Sequence, residues 1–200
     1  MSTLSLTDVL RRNYPVSDET AAMLEKAARV IHVRKRDYLV QQDHRSDHIY
    51  FILKGLFRGV HVFDGVESTL FFGTAGDPFA SAHSFAHGEA AQISFHALED
   101  SDVAAIGFDR FRALLQERPD LQAWWNAVLI EQIYALERRY ISIGTSKAEK
   151  RYENLLRARA EIIHRIPIKY IAQYLNVAPE TLSRVRRRIV SGKRKGQSED

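Results

Sequence analysis

The chain has 200 residues, 45% of them apolar, enough for one large domain or two small ones with packed cores. It contains no Cys, which excludes a disulfide scaffold, a Cys-ligated zinc or iron–sulfur site and a thiol nucleophile. Its net charge of +4 conceals an asymmetry. Residues 1–146 hold 15 Lys/Arg against 19 Asp/Glu, whereas residues 147–200 hold 14 against 6, so a mildly acidic body carries a basic C-terminal quarter suited to a polyanion.

The first residues, MSTLSLTDVLRRNYP, show no apolar run behind a positive start, and no stretch approaches 18 uncharged apolar residues. A cytoplasmic protein is expected. Residues 5–29 have an amphipathic helical pattern, with Ala22, Leu24 and Ala28 at helical spacing after the cap signal Ser17-Asp18-Glu19. From Val30 the period changes to short β-rich runs: 30–33, 38–40, 48–53, 56–63, 68–72, 93–98 and 103–106. Turn residues separate them, and Asp64-Gly65 between two apolar runs is the strongest hairpin signal. Runs at this spacing predict a β-sandwich or barrel.

After Phe108 the pattern is helical. A short helix is expected over 109–116, then a longer one from Pro119 or Asp120 to about Ile143, ended by Gly144. Thr145 or Ser146 should cap a following helix to about Ile163. Leu121, Trp125, Val128, Leu129, Leu136, Tyr140 and Ile143 form an apolar stripe on the long helix, and Trp124, Ile130, Ile133 and Tyr134 widen it. One stripe serves a helix packed on its own domain; the excess predicts a homodimer. Trp124 and Trp125 read as core and dimer-interface aromatics. The basic, polar tail from Ser191 reads as disordered.

The segment from Ile166 to Ile189 has the requirements of a helix-turn-helix. Ile171 and Leu175 give the first helix an apolar face, and Ala172 is small where the second helix must approach. Asn176 sits where a positive φ is needed, and Val177 fills the space under the turn. Pro179 suits the first position of the second helix, which Leu182, Val185 and Ile189 anchor. That leaves Glu180, Thr181, Ser183, Arg184, Arg187 and Arg188 pointing outward as candidate contacts to double-stranded DNA. Lys169 is placed for phosphate, and Lys193, Arg194 and Lys195 add charge. The fold class is α+β: β-barrel, long helix, helix-turn-helix.

In that order the elements resemble the cAMP receptor protein and FNR (Crp/Fnr) family of bacterial transcription regulators over nearly the whole length. Asp47-His48-Ile49-Tyr50-Phe51-Ile52-Leu53-Lys54-Gly55 resembles the family's strand ending in a Lys-Gly turn. Gly76-Asp77-Pro78-Phe79 resembles the lead-in to its ligand pocket, and Glu180-x-x-Ser183-Arg184 is similar to the FNR branch's base-reading motif. The resemblance implies a cyclic-nucleotide-binding-like double-stranded β-helix over 1–118, a dimerisation helix over 119–144 and a DNA-binding domain over 145–200. It also implies RNA polymerase as a partner.

The chain departs from the family at the effector. Cyclic-nucleotide members hold the ligand with a Gly-Glu pair and an Arg-Ser pair. Here Ala80-Ser81 and Ala91-Gln92 stand at those positions, so a cyclic phosphate would lack its charge-assisted bidentate partner. By this alignment Phe79, Ser81, Ala91 and Gln92 mark the effector pocket, the ligand is not cyclic AMP, and no cofactor is expected. The wing that usually follows the recognition helix is not evident, and the basic tail is a candidate replacement. The alternative is a metal-binding cupin-like barrel, an enzyme or sensor using His83 and His87 at i, i+4 spacing. The cupin His-x-His pattern is missing, as are nucleophile-elbow, P-loop and dinucleotide motifs. No enzyme is expected and no metal ligand is assigned.

Overall fold

The structure, a computed structural model, describes residues 3–12 and 14–196, with side chains as far as Ile189. Two compact units make up the chain, Met1–Ile133 and Tyr134–Asp200, and the division falls inside one long helix.

The first unit opens with α1 (Leu6–Arg11) and α2 (Asp18–Ala27). Ser17 caps α2 as the sequence predicts, its hydroxyl accepting the Thr20 N–H at 3.2 Å. Each of the seven β-rich runs is a strand: β1 (Arg29–Val33), β2 (Tyr38–Val40), β3 (His48–Lys54), β4 (Leu56–Phe63), β5 (Val66–Thr74), β7 (Ser94–Ala97) and β8 (Ser101–Gly107), with a two-residue β6 (Pro78–Phe79). They form two antiparallel sheets, ordered β1-β8-β3-β6 and β2-β7-β4-β5. Asp64 and Gly65 turn β4 into β5 with φ of 49° and 76°, the left-handed pair a two-residue hairpin requires. A Cβ at Gly59 would lie 2.2 Å from the Phe71 ring on the paired strand, so the ring lies where a side chain would otherwise stand.

Period-2 alternation explains the two cores. Tyr50, Ile52, Val103 and Ala105 of one sheet meet Phe57, Phe95 and Ala97 of the other. The opposite side chains of β3 and β8, Ile49, Phe51, Ala104 and Ile106, pack with α1, α2, α4 (Phe108–Glu117) and the start of α5 (Pro119–Thr145). Trp124 belongs to this second core, with its indole N–H donating to the Leu10 carbonyl at 2.8 Å. Trp125 is half-buried against Phe85 and Phe111. The stripe assigned from sequence therefore needs correcting: Trp124, not Trp125, is the fully packed ring.

The second unit contains α6 (Ala148–Ala158), α7 (Ala160–Ile163), α8 (Ile168–Leu175) and α9 (Pro179–Gly196). Three boundaries differ from the sequence reading. Gly144 does not end α5, which reaches Thr145, because one interior Gly costs only about 1 kcal/mol relative to Ala. Neither Thr145 nor Ser146 caps the next helix; Lys147 holds that position without a side-chain cap, and Thr145 donates to the Ile141 carbonyl at 2.7 Å instead. The helix expected to reach Ile163 is broken at Arg159, whose φ of −140° separates α6 from α7. The residues from Ser191, read as disordered, continue α9 to Gly196; Lys and Arg are good helix formers and no Pro intervenes. The side chains of Lys193, Arg194 and Lys195 lie outside the described residues.

Candidate functional site

The site with the most chemistry is the α8–turn–α9 segment. Asn176 ends α8 with φ 52° and ψ 55°, the left-handed conformation expected of it. Its N–H donates to Gln173 at 3.1 Å and the Val177 N–H to Ala172 at 3.0 Å, closing the helix C-terminus. Ile171, Ala172 and Leu175 of α8 and Leu182 and Val185 of α9 are buried, the two helices packing together, while Val177 and Ile189 are half-buried. Pro179 is the first residue of α9, where its missing N–H has no partner to lose.

Burying that face exposes the other. Glu180, Arg184, Arg187 and Arg188 are exposed, Thr181 and Ser183 are half-exposed, and Lys169 is exposed at the start of α8, its ammonium 5.0 Å from the Tyr170 ring centroid. The sequence reading omitted Arg186, which is exposed as well. The Arg184 guanidinium does not turn back to Glu180 four residues earlier; it donates to the Thr181 hydroxyl at 3.3 Å. Among the described residues Glu180, Arg186, Arg187 and Arg188 make no ion pair. The surface thus offers donors and acceptors to a partner.

A second cluster connects α5 to α8 within the Tyr134–Asp200 unit. The half-buried Arg139 guanidinium stacks 4.6 Å from the Tyr174 ring and donates to the Tyr174 carbonyl at 3.4 Å; burial holds its pKa below the usual value. Arg151 donates to the Ser146 carbonyl at 2.6 Å and the Ile143 carbonyl at 3.5 Å, satisfying the C-terminal end of α5.

In the first unit the four predicted effector residues have different surroundings. Phe79 lies between the sheets among Phe95, Phe57 and Tyr50, at ring distances of 4.6, 5.4 and 5.6 Å. Ser81 is buried as the N-cap of a helix the sequence did not predict, α3 (Ala82–His87), and its hydroxyl bonds Ser84. Ala91 is buried and Gln92 is exposed, its carbonyl 2.8 Å from His61 Nδ1. His83 and His87 stand 5.4 Å apart; His83 faces the Ala90 carbonyl on one side and Glu89 at 3.3 Å on the other. No group of three His, Cys, Asp or Glu fit to hold a metal occurs among the described residues.

Sequence reasoning missed the most buried charge in the unit. Arg58 on β4 is 1% exposed and donates to Glu67 at 2.8 Å, His96 Nδ1 at 3.0 Å and the Thr69 hydroxyl at 3.4 Å. Its signal was a lone cation within an apolar strand, with Glu67 across the hairpin.

Residues 30–118 match the cyclic nucleotide-binding domain. The chain is 23% identical to the cAMP-activated global transcriptional regulator CRP of Pasteurella multocida, over 77% of this chain and 80% of that protein. The chain thus carries a cyclic nucleotide-binding domain and resembles the Crp/Fnr regulators over most of its length. The fold is shared with FixK2 from Bradyrhizobium japonicum, at TM-score 0.73, 18% identity and 83% and 86% of the two chains. It is shared equally with a CooA variant from Carboxydothermus hydrogenoformans, at TM-score 0.73, 19% identity and 96% and 86% coverage. The shared fold comprises the N-terminal sheets, the long helix and the C-terminal helices. No helix among the described residues is long and apolar enough to cross a membrane.

Proposed function

We propose that this protein is a dimeric, sequence-specific DNA-binding transcription regulator of the cytoplasm, not an enzyme, whose effector is not cyclic AMP. The observation that carries the reading is the α8–Asn176–α9 geometry, with one buried apolar face and an opposite face of exposed polar and basic side chains. Residues 1–118 act as the sensor, 119–144 as the dimer helix and 145–200 as the DNA module, with RNA polymerase as the further partner. Support for the sensor and regulator roles comes from the domain matched by residues 30–118 and from the relative named as a transcriptional regulator.

Dimerisation is supported by α5. From Leu129 to Ile141 its large apolar side chains are solvent-exposed: Leu129, Ile133, Leu136 and Tyr140 recur at alternating four- and three-residue steps, with Ile130, Tyr134 and Ile141 alongside. That is the spacing of a helix–helix seam. A two-fold dimer places two recognition helices about 34 Å apart in successive major grooves, so the operator is an inverted repeat.

In each half-site Arg184 contacts guanine through O6 and N7, and Glu180 accepts from a cytosine amino group. Thr181 and Ser183 supply short polar contacts, Lys169 and Arg188 meet phosphates, and Arg187 faces the groove beside them. By its likeness to the FNR branch the half-site is similar to TTGA. Phe79, Ser81, Ala91 and Gln92 remain the proposed effector region, and the aromatic packing around Phe79 favours an apolar ligand over a nucleotide. Selecting bound sequences from random duplex DNA tests the reading: an inverted repeat is expected, and recovery of no common sequence would overturn it.

A further inference from the structure

On a helical projection at about 100° per residue, Leu182, Val185 and Ile189 define the side of α9 that packs on the rest of its unit. Glu180 and Arg187 then lie almost directly opposite. Arg188 is rotated about 90° to one side of that outward direction and Arg186 about 110° to the other. Both are exposed and neither has an ion-pair partner among the described residues. The described side chains of α9 include four Arg within five positions and one acidic group, Glu180. Arg184 and Arg188 at i, i+4 repel each other in the free protein. Such a surface is satisfied by a polyanion approaching from more than one direction.

A helix about 10–12 Å across nearly fills a major groove about 12 Å wide, so side chains a quarter-turn from the groove floor meet its walls. The walls are the two phosphate backbones. We propose that Arg186 and Arg188 straddle α9 and grip phosphates of opposite strands, so the helix is held from both sides while Glu180 and Arg184 read bases. The inference rests on the reading of α9 as a groove-entering helix. It adds Arg186 to the interface and assigns the two flanking cations to different strands.

The test uses the full chain and measures binding to the selected operator and to a random duplex across a salt series. Arg186→Gln and Arg188→Gln are each expected to weaken both duplexes by the same factor and, by removing one charge from each protomer, to lower the slope of log affinity against log salt by about 1.8 for the dimer. Arg186→Lys and Arg188→Lys, which keep the charge, should retain the slope. Operators carrying neutral methylphosphonate linkages on one strand of each half-site, chosen as symmetry-related strands in the two halves, then separate the two contacts. Neutral linkages on one strand should cancel the effect of Arg186→Gln alone, and those on the other strand the effect of Arg188→Gln alone. Unchanged slopes, cancellation of both effects from the same strand, or an altered base preference in either variant would overturn the proposal while leaving the DNA reading intact. Failure of the unmodified protein to bind any duplex would remove both.

Discussion

Arg184 and Arg58 are both cations on regular elements, and their surroundings give them opposite roles. Arg184 is exposed with a single weak hydroxyl contact, so its donors are available. Arg184→Ala should lower operator affinity by about 1–3 kcal/mol and relax selection at one position, whereas Lys169→Ala should weaken all duplexes alike. Equal losses by Arg184→Ala on operator and random DNA would make it a phosphate anchor instead. Arg58 is sealed in and committed to Glu67, whose side chain is 37% exposed. Removing only the carboxylate strands a buried cation, while replacing the cation by an apolar chain leaves Glu67 able to reach water. Glu67→Gln should therefore destabilise by about 1–3 kcal/mol, and more than Arg58→Met. Denaturant melts giving the reverse order would contradict this account.

Asp120 gives a pH dependence at the same scale. Partial burial acts to raise its pKa, but hydrogen bonds from the Ser17 N–H, the Thr20 and Ser17 hydroxyls and the Leu121 N–H outweigh it and bring the pKa to about 2. A carboxyl depressed below its unfolded value of 3.8 stabilises the fold above that pH, and the contribution is lost as pH falls toward about 2. Because the side chain is 30% exposed, solvent screening limits the effect to about 1 kcal/mol. Asp120→Asn should lower stability at neutral pH by that amount and flatten the acid limb of the stability profile. An unaltered acid limb would show that the hydrogen bonds contribute nothing net.

Among the elements, α5 changes character along its length. Its first three turns bury Leu121, Trp124 and Val128 against α1, β3 and α4, and its later turns expose a continuous apolar strip. Replacing Leu129 and Leu136 with Glu should produce monomers by light scattering and abolish operator binding without unfolding either unit. A dimer that survives both substitutions would place the interface elsewhere. The strip was visible in the sequence because a 3.6-residue period shows how wide an apolar face is. The exchange of Trp124 for Trp125 was not visible. Adjacent residues lie only about 100° apart on a helix, so the choice between them depends on where the Leu10 carbonyl and the Phe111 ring stand.

At the scale of the whole molecule, the barrel of a cyclic nucleotide-binding domain has its interior occupied by Tyr50, Phe57, Phe71, Phe79 and Phe95, and Ser81 spends its hydroxyl on capping α3. Millimolar cyclic AMP should therefore leave the melting temperature unchanged, whereas a saturable rise of the kind mass action requires would show the ligand has a site.

Local chemistry was enough for much of this molecule. The strands follow from short β-rich runs bounded by turn residues, the β4–β5 turn from Asp64-Gly65, the α8–α9 turn from Asn176 and Pro179, and the outward face of α9 from where Leu182 and Val185 must point. Each depends on a few neighbouring residues whose backbone preferences agree with the final fold. Tertiary structure decided the rest. Whether Trp124 or Trp125 is the sealed ring, and whether Arg58 meets water or Glu67, Thr69 and His96, are settled by groups distant along the chain. A side chain's type states what it can bond; only the folded packing states which partner is within reach and whether water is there to compete.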